Sequence, residues 1–119
     1  MKTKDELLFE LEQEENRVAN AHYKAEQTER EMNRIQEGYE GIFHQSSHLF
    51  FKLEEMFHES RSKPVFDEIC TEVKMEQERI FERMEEEKDI LIRRKKEFES
   101  RENEIYYEKR RMMVRLEDI

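Results

Sequence analysis

Several groupings of side chains in this 119-residue chain stand at spacings where chemistry is done in other helical proteins. His44 and His48 lie four residues apart, which on a helix puts two imidazoles on one face as metal ligands. Glu55-Met56-Phe57-His58 reproduces the Glu-x-x-His element of di-iron bundles. Cys70 and His58 offer a thiol and an imidazole on either side of a short polar stretch. Arg93-Arg94-Lys95-Lys96 and Lys109-Arg110-Arg111 are basic runs of the kind that take up phosphate.

Each grouping lacks what would complete it. No third ligand is fixed beside His44 and His48, and the pair falls on the outer face of the helix frame derived below. A di-iron site wants a second Glu-x-x-His and two more inward carboxylates, and no second copy exists. Cys70 stands in an apolar row and reads as a packed thiol. Each basic run sits among acids: Glu87, Asp89, Glu97 and Glu99 around the first, Glu104 and Glu108 around the second. That pattern is a mixed-sign helix surface. There is no glycine-rich phosphate loop and no nucleophile elbow. The expectation is a chain without enzymatic activity, cofactor or metal.

The elements that carry these residues follow from composition. Charged residues make up 45% of the chain against 35% hydrophobic, with two glycines, one proline and no tryptophan, a mixture suited to long solvated helices. The same composition is a signature of disorder, but the apolar residues are placed periodically. A formal net charge of -9 repels nucleic acid and anionic membranes. The single cysteine cannot form an internal disulfide, and no stretch approaches the ~20 apolar residues of a membrane span. The N-terminus runs into an acidic amphipathic segment without the apolar core of a signal peptide. Cytoplasmic synthesis is the expectation, and export by a route without a cleaved signal stays open.

Counting in sevens from Leu11 gives Val18, Ala25, Met32, Tyr39, Ser46 and Leu53. Three residues beyond each stand Ala21, Thr28, Ile35, Ile42, Leu49 and Met56, with Leu7 before them and Glu14 as the main exception. These are the a and d positions of a coiled-coil seam. Gly38 and Gly41 interrupt the run at a cost of about 1 kcal/mol each relative to Ala. The pattern stops at His58-Glu59-Ser60-Arg61-Ser62-Lys63-Pro64, a polar loop followed by a proline suited to a first helical turn. A second run then counts Cys70, Gln77, Met84, Leu91, Phe98, Ile105, Met112 and Ile119. Its flanking row is apolar at Phe66, Val73 and Ile80, then charged at Glu87, Arg94 and Arg101. The other flank, Phe81, Lys88, Lys95, Glu102, Lys109 and Leu116, is apolar only at its ends.

Two runs of matched length around one short loop predict an all-α fold. It is a long antiparallel two-helix hairpin, coiled-coil-like, in a single domain over 1–119. Its helices cover about 4–58 and 64–118, with a loop at 59–63. Residues near 11 then face residues near 112. Phe43, Phe50 and Phe57 form a row of their own beside the seam, broader than a two-helix hairpin covers. They predict a helical protein partner, or a second copy, that completes a bundle. The expected partner-binding residues are Phe43, Phe50, Phe57, Phe66 and Phe81 at the loop end, and Ile105, Met112 and Leu116 at the open end.

The lone loop before Lys63-Pro64-Val65-Phe66 and the charge-dense tail from Phe98 through Ile105-Tyr106-Tyr107 to Arg111 carry a resemblance across nearly the whole chain. The layout resembles a family of small helical proteins encoded beside LXG-domain toxins in Gram-positive bacteria. The resemblance implies a targeting chaperone that lays its helices along the toxin's N-terminal helices. The complex would then go to the type VII (Esx-type) secretion apparatus, which also uses helical hairpins of the WXG type. No Trp-x-Gly stands in the loop, and Tyr106 and Tyr107 are followed four residues later by Arg110 and Arg111, so a Tyr-x-x-x-Asp/Glu export signal is absent. Only Phe81…Glu85 and Phe98…Glu102 fit a loosened version with Phe. The resemblance therefore implies a second small helical protein that supplies the export signal. A different class, structural antiparallel coiled coils similar to the export-gate stalks of flagellar and type III systems, shares the charged hairpin but relies on polar contacts near its tip.

Overall fold

The computed structural model describes residues 1–117, with side chains through 114. Two helices account for nearly all of it: α1, Lys4–Phe57, and α2, Lys63–Glu117. No strand occurs among the described residues, and no helix among them is long and apolar enough to cross a membrane. The fold is an antiparallel two-helix hairpin. Leu116 and Ile119, expected at the open-end contact and on the second seam, lie outside the described side chains.

Local chemistry sets the helix ends. Thr3 caps α1, its Oγ1 accepting from the Glu6 amide at 3.2 Å, and Asp5 and Glu6 put negative charge at the positive end of the helix dipole. The chain reverses through Ser60, whose amide donates to the Phe57 carbonyl at 3.0 Å and whose Oγ accepts from the Ser62 amide at 3.1 Å. α2 begins with Lys63, and Pro64 sits in its first turn, where an absent N–H costs no helical bond. No residue in the turn needs a positive φ, so the reversal requires no glycine.

Residue contacts group into two units, each built from a stretch of both helices: Met1–Glu29 with Asp89–Ile119, and Arg30–Lys88.

In the first unit the core is narrow. Ile105 is fully buried, Leu91 and Ala25 are nearly so, and Val18, Ala21, Phe98 and Met112 are half-buried around them. Leu7, Leu11 and Met112 line one groove, which places the ends of the two helices opposite each other as the periodicity predicts. Around this core the helices are tied by charge. Lys109 Nζ reaches Glu15 Oε1 at 3.4 Å, His22 Nδ1 meets Glu102 Oε1 at 2.8 Å, and Lys95 Nζ donates to Glu29 Oε2 at 2.7 Å.

The second unit starts the same way and then becomes apolar. Lys88 Nζ donates to Gln36 Oε1 at 3.1 Å, and Gln36 Nε2 donates to Glu85 at 3.1 Å. Phe43 meets Phe81 edge-on with centroids 5.1 Å apart, while Phe66 stacks on Phe57 at 5.1 Å and lies 6.3 Å from Phe50. Phe66 is the buried member of this cluster, and Leu53, Val73, Ile80 and Met84 are half-buried along the same unit.

These pairs correct the expected seam. The a row, Leu11 to Leu53, does face α2, apart from the more exposed Tyr39. Its companion is the row four residues on, Leu8, Glu15, His22, Glu29, Gln36, Phe43, Phe50 and Phe57, every member half-buried. The Phe row is therefore not a surplus beside the seam; it is the seam. The physical reason is area. Phe side chains each present ~150–250 Å² and gain further from edge and stacked geometries, so a choice between flanks goes to the one bearing them. The row three residues on is half-buried at Glu14 and Ala21 but turns outward in the second unit: Ile35, Ile42 and Leu49 are 55–56% exposed and Met56 77%.

Candidate partner-binding surface

A heptad repeat keeps one row of a helix on one side along its length. Ile35, Ile42, Leu49 and Met56 recur every seven residues on α1, all within Arg30–Lys88, and they leave about 30 Å of helix with an unpartnered apolar edge. On that side, Ile42 and Ser46 of α1 share a groove with Val73, Gln77 and Ile80 of α2. Glu72 and Glu76 stand at its rim. On the opposite side of the same unit, Phe50, Phe51, Phe66 and Val73 line a second groove together with the polar Ser47, Glu54, Asp67, Thr71 and Lys74.

The structure places the residues expected to bind a partner as follows. Phe43, Phe50, Phe57, Phe66 and Phe81 form the internal aromatic cluster of the second unit. Ile105 is the fully buried centre of the first, and Met112 packs near Leu7 and Leu11. Two groups come together, one in each unit, and each holds its own helices to one another. The outward row that sequence reasoning assigned to the seam, Ile35 to Met56, is an apolar surface left free. The signal that could have separated the rows was present: opposite charges on Glu15, Glu29, Lys95 and Lys109 pair in only one register.

Gly38 lies beside this row, between Ile35 and Ile42. A Cβ at Gly38 or at Gly41 would meet nothing within 4 Å. Packing inside the hairpin therefore requires neither glycine.

The other chemistry-bearing residues are dispersed. His44, His48 and His58 are exposed, and no group of three or more His, Cys, Asp or Glu among the described residues is arranged to hold a metal ion. Cys70 is a free, half-buried thiol in the groove that Phe50 and Phe66 also line. Tyr107, Arg110, Arg111 and Val114 form a shallow cationic-aromatic patch on α2, without a second helix facing it.

Charge perturbations mark the interhelical ties. The Arg101 guanidinium, bonded to Glu14, holds that carboxyl below its ordinary value. Bonding to Glu14 and then Glu104 raises Arg101 in turn. The Glu29 carboxylate raises Lys95, against the partial loss of its hydration. All three are signatures of pairing across the seam.

The chain belongs to the family described as protein of unknown function (DUF3958), whose sequence model matches residues 4–112. No curated protein and no solved structure matches it.

Proposed function

We propose that this member of the DUF3958 family is a non-catalytic adaptor that binds another protein by helix-on-helix packing. We further propose that the partner is the helical N-terminal region of an LXG-type toxin bound for type VII secretion. The observation that carries the first part is the outward row Ile35, Ile42, Leu49 and Met56. Each side chain is more than half exposed, and all four lie on one side of one helix. A partner helix with its own heptad stripe would cover them, each contributing about 1 kcal/mol of further burial. The toxin as partner, and a second small protein carrying the export signal, rest on the sequence resemblance of the loop and the charged tail.

Co-expression with such an N-terminal region tests both parts. The wild-type chain should form a defined hetero-complex by light scattering. Leu49→Glu should lose it while keeping its helical circular dichroism, because Leu49 makes little of the hairpin. A stable homodimer indifferent to the toxin would defeat the adaptor reading and reassign the row to self-association.

A second reading has an observation of its own. Cross-helix charge pairs tie the hairpin along the first unit, as a structural coiled coil similar to export-gate stalks would need. In that reading Leu49→Glu changes no binding partner, whereas changes at the polar tip, Arg61 or Lys63, do.

A further inference from the structure

Within the first unit, two outward faces carry matched chemistry. On α2, Tyr107, Arg110, Arg111 and Val114 share a shallow patch, and the Tyr106 ring meets Tyr107 edge-on at 5.5 Å. On α1, Phe9 is exposed, to the same 59% as Tyr107. Asp5, Glu6 and Glu12, three or four residues from Phe9, are its exposed neighbours on that helix surface. Neither these three acids nor Arg110 and Arg111 enter an ion pair among the described side chains. Other charges at this end are already engaged: Lys2 with Glu10, Arg101 with Glu14 and Lys109 with Glu15.

One hairpin cannot bring the two faces together. Phe9 stands two residues before the inward Leu11, and Tyr107 two residues after the buried Ile105. Two residues turn a helix by about 200°, so each face points away from the other helix. Tyrosine with arginine is the composition of interface anchors. The arginines call for carboxylates and the Tyr107–Val114 surface for an apolar side chain, and the α1 face offers a ring among three acids. We infer that the α2 patch docks the Phe9 face of a second copy of this chain. Phe9 packs on Tyr107 and Val114, while Glu6 and Glu12 meet Arg110 and Arg111. The contact is heterologous, so a pair of copies still has one unused face of each kind. Each face covers roughly two turns, about 12 Å of helix. That is well short of the ~800 Å² per partner of a stable complex, so association is weak and grows with concentration. It leaves Ile35, Ile42, Leu49 and Met56 uncovered, and it stands or falls independently of the adaptor reading.

The test is sedimentation velocity of the full chain over a concentration series at about 0.15 M salt, where charges more than ~8 Å apart are largely screened and touching ones are not. Wild type should sediment faster as concentration rises. Phe9→Ser and the double variant Arg110→Glu/Arg111→Glu should each stay monomeric. An equimolar mixture of the two should pair one to one, because it retains one intact face of each kind. Arg79→Glu/Arg83→Glu makes the same change of net charge on exposed arginines of the second unit and should associate as wild type does. If Phe9→Ser loses its helical circular dichroism, Glu6→Gln/Glu12→Gln takes its place. A wild type that is monomeric at every concentration would overturn the inference, and so would a mixture that fails to pair. Association that survives Phe9→Ser and Glu6→Gln/Glu12→Gln would overturn it too, since the α2 patch would then be pairing with itself.

Discussion

Arg101 holds Glu14 with two parallel bonds, Nε to Oε1 at 2.6 Å and Nη2 to Oε2 at 2.7 Å, across 87 residues of sequence. Each residue stands on a row whose apolar pattern it breaks, and each answers the other. The fork geometry matters more for alignment than for raw stability, since partly exposed ion pairs contribute little on their own. Further pairs step down the hairpin in sevens: Glu15 with Lys109, His22 with Glu102 and Glu29 with Lys95, then Gln36 with Lys88 and Phe43 with Phe81. A slip by one heptad would set Glu15 against Glu102 in one direction. In the other it would set Glu29 against Glu102 and Phe43 against Lys88. Every such slip opposes like charges or buries a charge against an aromatic ring, so the register has one favourable solution.

Charge reversal should expose that logic. Arg101→Glu places a fourth acid beside Glu14, Glu104 and Glu108 and should lower the melting temperature by roughly 5 °C. Glu14→Arg in the same chain should recover most of the loss. Thermal denaturation of the two single variants and the double variant measures the coupling, and additive losses would deny the pair its role.

Stability should fall away at both ends of the pH scale for identifiable reasons. Glu14 is held below its ordinary value, so its contribution is complete above the carboxylate range and disappears as pH falls through the lowered value. Lys95 is raised above its ordinary value, so its contribution persists below that value and is lost as pH climbs past the raised one. Urea midpoints recorded against pH should show the acid limb flattened by Glu14→Gln and the alkaline limb flattened by Lys95→Met.

Truncations should separate the internal core from the outward row. Ile105→Ala removes the one fully buried large side chain among the described residues and should cost about 3 kcal/mol. Phe66→Ala takes away the ring on which Phe57 stacks and should cost about 3 kcal/mol as well. Ile42→Ala and Leu49→Ala, on side chains more than half exposed, should each cost under about 1 kcal/mol. Denaturant titration distinguishes the classes, and equal losses at Leu49 and Phe66 would contradict the assignment of rows.

Gly38→Ala and Gly41→Ala should each stabilise the isolated chain by roughly 0.5–1 kcal/mol, because the added Cβ meets open space and the helix gains propensity. If the partner helix approaches α1 at Gly38, the first of these changes should also weaken the complex. Stability and binding would then move in opposite directions, which neither propensity nor general destabilisation produces.

Much of the architecture is legible in the chain itself. Seven-residue spacing over two runs, one proline and one polar break dictate two long helices and a reversal between them, because helix formation and its interruption are local events. The antiparallel facing of Leu11 and Met112 follows from matched lengths around a short loop. What local pattern leaves undetermined is which of two neighbouring apolar rows turns inward. Ile42, Leu49 and Met56 satisfy a seam as well as Phe43, Phe50 and Phe57 do when α1 is read alone. The choice rests on what α2 sets opposite: Phe66 and Phe81 for the rings, Lys88, Lys95, Glu102 and Lys109 for the polar members of the same row. Those are pairings between residues tens of positions apart, and only the packed hairpin brings them within reach. The sequence by itself determined the helices and their reversal; the tertiary structure decided the face, and with it which apolar side chains remain free for another molecule.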